Sequence, residues 1–384
     1  MQIIIHRGTH QIGGCATEIR SGSTRILIDL GAELGGGSEL KINGVTEGEA
    51  DCGGILFTHY HGDHVGLINT VLPQIKLYAG EASKQIMTAI NNRTKQYDSQ
   101  RLESIETFTA GRSFYIGEIK ITPFSVDHSA YDSYMFLIEA DGKRVLHTGD
   151  FRSHGFRGKG LENVLKKYVG HIDALICEGT TVKGGHDTVM TEYDLHIAAK
   201  KYLAENKYVF VICSSTNFDR IAAFCNAVPR GKYCVCDRYQ FDMLKIVREC
   251  SSKYTDLYAF EKMCYYSNTL YEKMRKRGFC MFVRLGNFYH RKIMESFSGL
   301  NPKVVYSMWN GHLKESENSE FINGFSVDKL HTSGHADIET IKIVISETSP
   351  QVIIPIHTEA PEQFSDLAVN SKTIFCNDGE SIEI

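Results

Sequence analysis

The sequence predicts an α/β chain in which one α/β domain is inserted into another, and three features of its pattern point there. Up to about residue 180, short apolar runs of strand character are broken by Gly-rich turns. From about 190 to 325, longer amphipathic helices alternate with strand-like runs. Beyond about 325 the short strand signals return. The 384 residues are about twice a typical domain. Two domains are therefore expected, a discontinuous one over 1–189 and 326–384 and an inserted one over 190–325.

In the first segment the strand runs are Gln2 to Ile5, Ala16 to Ile19, Arg25 to Asp29, Gly54 to Thr58, Glu118 to Thr122, Tyr134 to Glu139, Lys143 to His147 and Ala174 to Cys177. Helices are expected over Gly80 to Asn92, where Ile86, Met87 and Ile90 recur at helical spacing, and over Leu161 to Tyr168. The inserted segment offers helices at Glu192 to Glu205, Asp219 to Val228, Gln240 to Cys250 and Leu257 to Arg277. Tyr208 to Cys213 and Cys280 to Arg284 are the strands between them. In the last segment, strands at Val327 to His331 and Val352 to His357 flank a helix capped by Asp337.

Composition narrows the function less than the fold. No run reaches the roughly 18 apolar residues of a membrane span, and Met1 to Arg7 reads as a strand, not as a leader. A soluble, cytoplasmic protein without a membrane partner is expected. Eleven cysteines at irregular spacing read as reduced thiols, several of them core residues such as Cys177 and Cys213. Cys234 and Cys236 lack a second pair nearby and read as strand residues, not as a zinc site. A formal charge of −4 gives no global attraction to nucleic acid, so any such binding must come from a local patch. Arg144, Arg152, Arg157 and Lys159 offer one basic track, and Lys273, Arg275, Lys276 and Arg277 another. Such runs also serve as solvated faces.

The chemistry is concentrated in Phe57-Thr58-His59-Tyr60-His61-Gly62-Asp63-His64, which follows an apolar strand. His59 and His61, at alternate positions of an extended segment, point the same way; Asp63 and His64, after the Gly62 bend, point to a second place nearby. Two cations about 3.5 to 4 Å apart divide such a set better than one tetrahedral ion. Packing an Asp and three His this closely without a cation would be costly in desolvation. Further ligands are expected from other strand ends: His128 after Val126-Asp127, Asp150 after His147-Thr148-Gly149, and His357 after Ile354-Pro355-Ile356. The expected division is His59, His61 and His128 on one ion, Asp63, His64 and His357 on the other, and Asp150 bridging. All are N or O donors, which suits two zinc ions, with manganese as the alternative.

Such a pair of cations activates a water for hydrolysis, with Asp63 both ligating and orienting the nucleophile. A leaving alkoxide needs a separate acid, for which His335 in His331-Thr332-Ser333-Gly334-His335 is the candidate. Glu178, after Ala174-Leu175-Ile176-Cys177, would orient that imidazole and keep it protonated; a surface or capping role is the competing reading.

Together the HYHGDH string, DHS at 127–129, HTGDFR at 147–152, HTSGHAD at 331–337 and IPIHTE at 354–359 resemble the β-CASP branch of the metallo-β-lactamase superfamily. Bacterial ribonuclease J and related RNA-processing nucleases are the nearest resemblance, in the right order over nearly the whole chain. It implies a metallo-β-lactamase αββα sandwich with an inserted α/β β-CASP domain, and substrate threading between the two. It also implies that Glu178, His335 and His357 match the family's acidic, SGH and late His positions, a late His being a feature of RNA-processing members. Ser214 to Arg220 looks like a phosphate-binding segment, which makes Ser215, Asn217 and Arg220, with Ser333, candidate substrate ligands. The alternative for Ser215 and Asn217 is that they only cap a helix. Ribonuclease J carries a linker and a further C-terminal domain, whereas this sequence ends at Ile384, which leaves oligomeric state and that domain's substrate contacts open. A homodimer stays among the partners considered.

The leading expectation is a metal-dependent ribonuclease that hydrolyses single-stranded RNA, by an endonucleolytic or 5′-exonucleolytic course, in RNA processing or decay. A small-molecule metallo-hydrolase of the same fold, acting on a lactone, thioester or phosphodiester, is the first alternative. A non-catalytic, zinc-stabilised RNA-binding module is the second.

Overall fold

The computed structural model describes residues 1–35, 39–184, 189–367 and 370–384. The chain divides into two compact units, one formed by Met1–Ser153, Arg157–Thr188 and Gly334–Ile384, the other by His154–Phe156 and Val189–Ser333. Among the described residues no helix is long and apolar enough to cross a membrane.

The first unit holds two seven-stranded sheets. One runs in the order Ser381–Glu383, Gln2–Arg7, Ala16–Ser21, Thr24–Ile28, Gly54–Leu56, Leu77–Gly80, Glu106–Phe108. The other runs Lys372–Thr373, Val352–Ile356, Ala174–Glu178, Lys143–His147, Ser133–Ala140, Ile119–Val126, Phe114–Ile116. Gln2–Arg7 alternates half-buried and buried residues as a strand with one core face should. Ile3, Ile5, Ile19 and Ile28 from the first sheet share one buried cluster with Ile121, Phe136, Ile138, Ile176 and Ile354 from the second. The opposite face of the second sheet packs Leu146, Leu175 and Ile353 against Leu161, Leu165, Ile341 and Val344 of flanking helices. Ala174–Glu178 is wholly buried because both faces are covered, which is why it reads as a continuous apolar run.

Strand direction places the chemistry. Lys143–His147, Ala174–Glu178 and Val352–Ile356 run parallel, with His147 opposite Ile176 and Glu178 opposite Ile356. Their carboxyl ends deliver Asp150, Glu178 and His357 to one edge. In the first sheet Thr24–Ile28 and Gly54–Leu56 are parallel and in register at Ile28 and Leu56, so Asp29 and Thr58 leave their strands together.

The second unit is built on a six-stranded, wholly parallel sheet ordered Met263–Tyr265, Tyr233–Cys236, Phe279–Val283, Tyr208–Ile212, Lys303–Tyr306, Ser326–Lys329. Phe210, Val235, Met281, Met294 and Phe297 are among its buried core.

Three sequence expectations change. The helix expected over Leu257 to Arg277 is interrupted: Phe260 takes a left-handed φ of 48°, Met263–Tyr265 becomes an edge strand, and only Asn268–Arg277 is helical. Parallel pairing with Cys234 to Cys236 outweighs the helical spacing of that run. The strand expected at Val327 to His331 forms as Ser326–Lys329 but pairs with Lys303–Tyr306 in the second unit. The return to the first unit therefore falls at Gly334, eight residues beyond the expected 326, and His154–Phe156 joins the second unit. Finally, Leu161 to Tyr168 begins as a helix over Leu161–Val164 and widens into a π turn over Leu165–Val169. Asp337 does cap its helix, accepting from the Thr340 amide at 2.8 Å.

Candidate metal centre

The His59 to His64 string lies where Gly54–Leu56 gives way to the single helical turn Gly62–Val65. That turn closes against a neighbouring loop so tightly that a Cβ on Gly31 would sit 1.6 Å from the Asp63 carbonyl oxygen. Only glycine permits the approach, and through it Asp63 is fixed from behind.

Ligand-competent atoms of His59, His61 and His128 lie within 4.8 Å of one another, as do those of His59, His64 and Asp150. Asp150 Oδ2 is 3.1 Å from His64 Nε2, 3.8 Å from His59 Nε2, and 3.9 Å from both His128 Nε2 and His357 Nε2. One carboxylate oxygen thus faces four imidazoles, the position a bridging ligand would hold. Asp63 Oδ2 is 3.3 Å from His357 Nε2 and 3.8 Å from His64 Nε2, and His61 Nδ1 is 3.3 Å from His128 Nε2. All seven residues expected from the sequence are brought together in the first unit. Three more join them: the thiol of Cys15, grouped with His64 and His357, and Glu178 and His335, grouped with Asp150 and His357.

Outer partners fix the rings. His64 donates from Nδ1 to Asp29 at 2.8 Å, and His128 donates from Nδ1 to the Gly334 carbonyl at 2.6 Å. Thr58 Oγ1 donates to Asp29 at 2.8 Å and lies 3.1 Å from His59 Nδ1, as its acceptor. The same relay recurs across the site, where Thr180 Oγ1 donates to Glu178 at 2.7 Å and accepts from His357 Nδ1 at 2.7 Å. In each case an occupied Nδ1 leaves Nε2 aimed inward. Two of these positions carry left-handed backbone, Asp29 at φ 62° and His357 at φ 52°. Such strain persists where the surroundings over-determine it.

Burial strips water from the imidazolium forms and holds His59 and His128 well below the usual histidine range and His61 at about 4. They are neutral donors at neutral pH. Burial works the same way on His64, but Asp150, Asp29 and Asp63 outweigh it and raise that ring. Burial would push Asp63 up, yet His64 and His357 hold it well below the carboxylate range. Divalent metals fit the residues. Among the described residues His59 Nε2 and His64 Nε2 are buried nitrogens without a hydrogen-bond partner, set among carboxylates whose charge calls for a cation.

His335 stands beside this cluster. Its Nδ1 is 3.1 Å from Glu178 Oε2 and 3.6 Å from Asp150 Oδ2, and its side chain keeps 23% exposure. Burial lowers its pKa, but Glu178 and Asp150 prevail and lift it to about 9. Glu178 is fully buried and also accepts from the amides of Phe151 at 3.0 Å and Ala336 at 3.4 Å, which disposes of a surface role.

The expected phosphate ligands belong to the second unit. Arg220 is wholly buried. It donates to Glu192 at 3.0 Å, to Ser307 Oγ at 2.5 Å and to the Thr332 carbonyl at 3.1 Å. A guanidinium so enclosed braces its own unit and has no face left for a phosphate, so the expectation for Arg220 is corrected. Asn217 Oδ1 caps the helix Phe218–Ala227 through the Arg220 amide at 3.1 Å, the alternative considered for it. Ser215 is buried, and among the described residues its hydroxyl has no hydrogen-bond partner. Ser333 is half-buried and its carbonyl accepts from His154 Nε2 at 2.9 Å. In the basic track, Arg152 is buried against Asp127 at 2.9 Å and Arg157 donates to the His128 and Ala130 carbonyls. Both are braces of the loop that presents His128.

Sequence reasoning missed Asp29, Thr58 and Thr180 as orienting groups, and Cys15. Asp29 had a legible signal, since it ends an apolar strand as Asp150, Glu178 and His357 do.

Residues 24–209 match the family model described as a beta-lactamase superfamily domain. Ribonuclease J 2 of Staphylococcus saprophyticus is 24% identical over 354 residues, covering 84% of this chain and 61% of that protein. Ribonuclease J of Mycoplasma genitalium is 24% identical over 166 residues, 41% of this chain and 29% of that one. An RNase J-like protein of Methanocaldococcus jannaschii is 27% identical over 187 residues, 46% of this chain and 41% of its own length. The chain thus spans between 29% and 61% of the length of these relatives. A protein of unknown function from Enterococcus faecalis V583 shares the fold, with a TM-score of 0.78 at 19% identity over 99% of both chains. The chain has a metallo-β-lactamase-type α/β fold and resembles the β-CASP branch of that superfamily, with bacterial ribonuclease J and RNase J-like proteins among its relatives.

Proposed function

We propose that this protein is a metal-dependent ribonuclease that hydrolyses phosphodiester bonds of single-stranded RNA. The observation that carries the reading is the pairing of a metal-ligand cluster with a separate, carboxylate-oriented imidazole. Cleavage of a phosphodiester needs both an activated nucleophile and a proton for the leaving alkoxide. The ribonuclease J names among the relatives supply the substrate class.

His59, His61 and His128 would hold one divalent cation, Asp63, His64 and His357 the other, with Asp150 between them. Two zinc or manganese ions, when bound, supply the Lewis acidity that generates the attacking water and offsets charge on the phosphodiester. Asp63 orients the nucleophile. His335, protonated at neutral pH and held from Nδ1 by Glu178, presents its other N–H to the leaving oxygen. Its partial exposure gives a substrate access to that edge.

The test is a product-length time course of the metal-loaded protein on labelled RNAs bearing 5′-monophosphate, 5′-triphosphate or 5′-hydroxyl ends, with DNA of matching sequence alongside. Cleavage of RNA that is lost in Asp63→Asn, with RNA binding kept, supports the reading. RNAs of several sequences left intact while a generic lactone is hydrolysed would instead establish the small-molecule hydrolase.

A further inference from the structure

We infer that the strand-end face of the second unit carrying Tyr265, Phe288 and Tyr289 is a stacking platform for single-stranded RNA, an inference that rests on the ribonuclease reading above. Because the six strands are parallel, their carboxyl ends share one edge of the sheet. Tyr233–Cys236 lies between Met263–Tyr265 and Phe279–Val283, so the segments that follow these three strands emerge side by side. They bring a run of aromatic rings to the surface. Tyr265 is 45% exposed, Phe288 71% and Tyr289 55%. Tyr266 and Tyr289 meet edge to face with centroids 6.2 Å apart, which joins the second segment to the third.

Cations are interleaved with these rings. Arg238 lies 5.1 Å from the centroid of Tyr265, Arg284 5.3 Å from that of Tyr239, and Lys292 4.4 Å from that of Phe288. Two acids answer part of this charge, Asp237 at 2.6 Å from Arg284 and Asp242 at 3.3 Å from Arg238. Among the described residues Lys292 makes no ion pair, so the three cations at these rings outnumber the two acids that answer them.

Clustered exposed rings mark an interaction site, because water contact of that apolar area is unfavourable until something covers it. The chemistry selects the occupant. Lysine is depleted in the buried face of protein–protein contacts, whereas here Lys292 stands over the Phe288 ring without an ion pair among the described residues. Single-stranded nucleic acid supplies both complements, a π face on every base and a phosphate between successive bases. Recognition of this kind is tolerant of sequence and sensitive to salt.

The experiment uses the full chain with its metals and a fluorescein-labelled 20-nucleotide oligouridine with cleavage-resistant phosphorothioate linkages. Phe288→Ala/Tyr289→Ala should weaken binding by roughly tenfold or more in anisotropy. It should raise KM for unmodified RNA with little change in kcat, and leave the thermal midpoint unchanged, since both rings are exposed. Tyr289→Phe should restore affinity in the Phe288 background, and Lys292→Ala should lower the salt slope by about 0.7. Wild type that binds and cleaves RNA while the double variant binds within twofold of it overturns the platform and leaves the ribonuclease reading standing. Unchanged RNA binding with a dimer that dissociates in the variant would assign the face to a second copy of the chain. Wild type that neither binds nor cleaves RNA removes the ribonuclease reading, and the platform with it.

Discussion

The buried carboxylate of Glu178 lies 3.1 Å from Nδ1 of His335 and so holds that ring from the nitrogen that also lies 3.6 Å from Asp150 Oδ2. The same carboxylate accepts from Thr180, whose hydroxyl accepts in turn from His357. Acid and ligand are therefore oriented through one anchor, and substitutions should separate them.

His335→Ala should lower kcat by about 10²- to 10⁴-fold, the range for loss of a general acid, with metal content unchanged by elemental analysis. Glu178→Gln should cost less in kcat, because the amide can still accept from Nδ1 but no longer favours the protonated ring. Equal loss of metal and turnover in His335→Ala would make His335 a ligand instead.

Asp29 tests the outer partners. Its carboxylate accepts a hydrogen bond from His64 Nδ1 and, through Thr58, orients His59. Asp29→Asn should weaken metal retention by about 10- to 100-fold in chelator competition. Asparagine tolerates the left-handed φ found here, so a change in affinity reports the lost charge and not backbone strain.

The candidate string was legible because His59, His61, Asp63 and His64 are close in sequence, and because the candidate ligands that the fold gathers with them follow short apolar runs that pattern reading finds. Cys15 was not, since its thiol reaches His64 and His357 only through the folded path of Gly8 to Gly14. The strand at Ser326–Lys329 was recognised as a strand over Val327 to His331 but placed with the 326–384 segment, because its pairing with Lys303–Tyr306 is a matter of topology, not of local pattern. Arg220 shows a third limit. A hydroxyl, an amide and a guanidinium near a helix start fit an anion site by type, and only burial against Glu192 shows that the guanidinium is committed elsewhere.

Arg220→Ala should therefore act on stability first. Removing one partner leaves Glu192 charged and buried, a loss of about 3–5 kcal/mol that a thermal or urea melt would read as unfolding of the second unit. The double change Arg220→Met/Glu192→Met should be milder than the two single losses added together. A variant that kept its melt but lost RNA affinity would return Arg220 to phosphate binding.

Acid stability should depend on Glu18, far in sequence from the ligands. It is wholly buried and meets His6 at 2.7 Å, Arg25 at 2.6 Å and the Arg20 guanidinium. Burial alone would raise its pKa, but these three partners outweigh it and bring it from 4.5 to about 2. A carboxyl depressed in the folded state stabilises it above the unfolded pKa. That contribution is lost as pH falls from about 4.5 toward 2. It should be on the order of 2–3 kcal/mol when fully present. Glu18→Gln should thus lower the melting temperature at pH 7 and flatten its fall between pH 5 and 2.5. A variant whose acid limb runs parallel to that of wild type would show that other carboxylates govern acid unfolding.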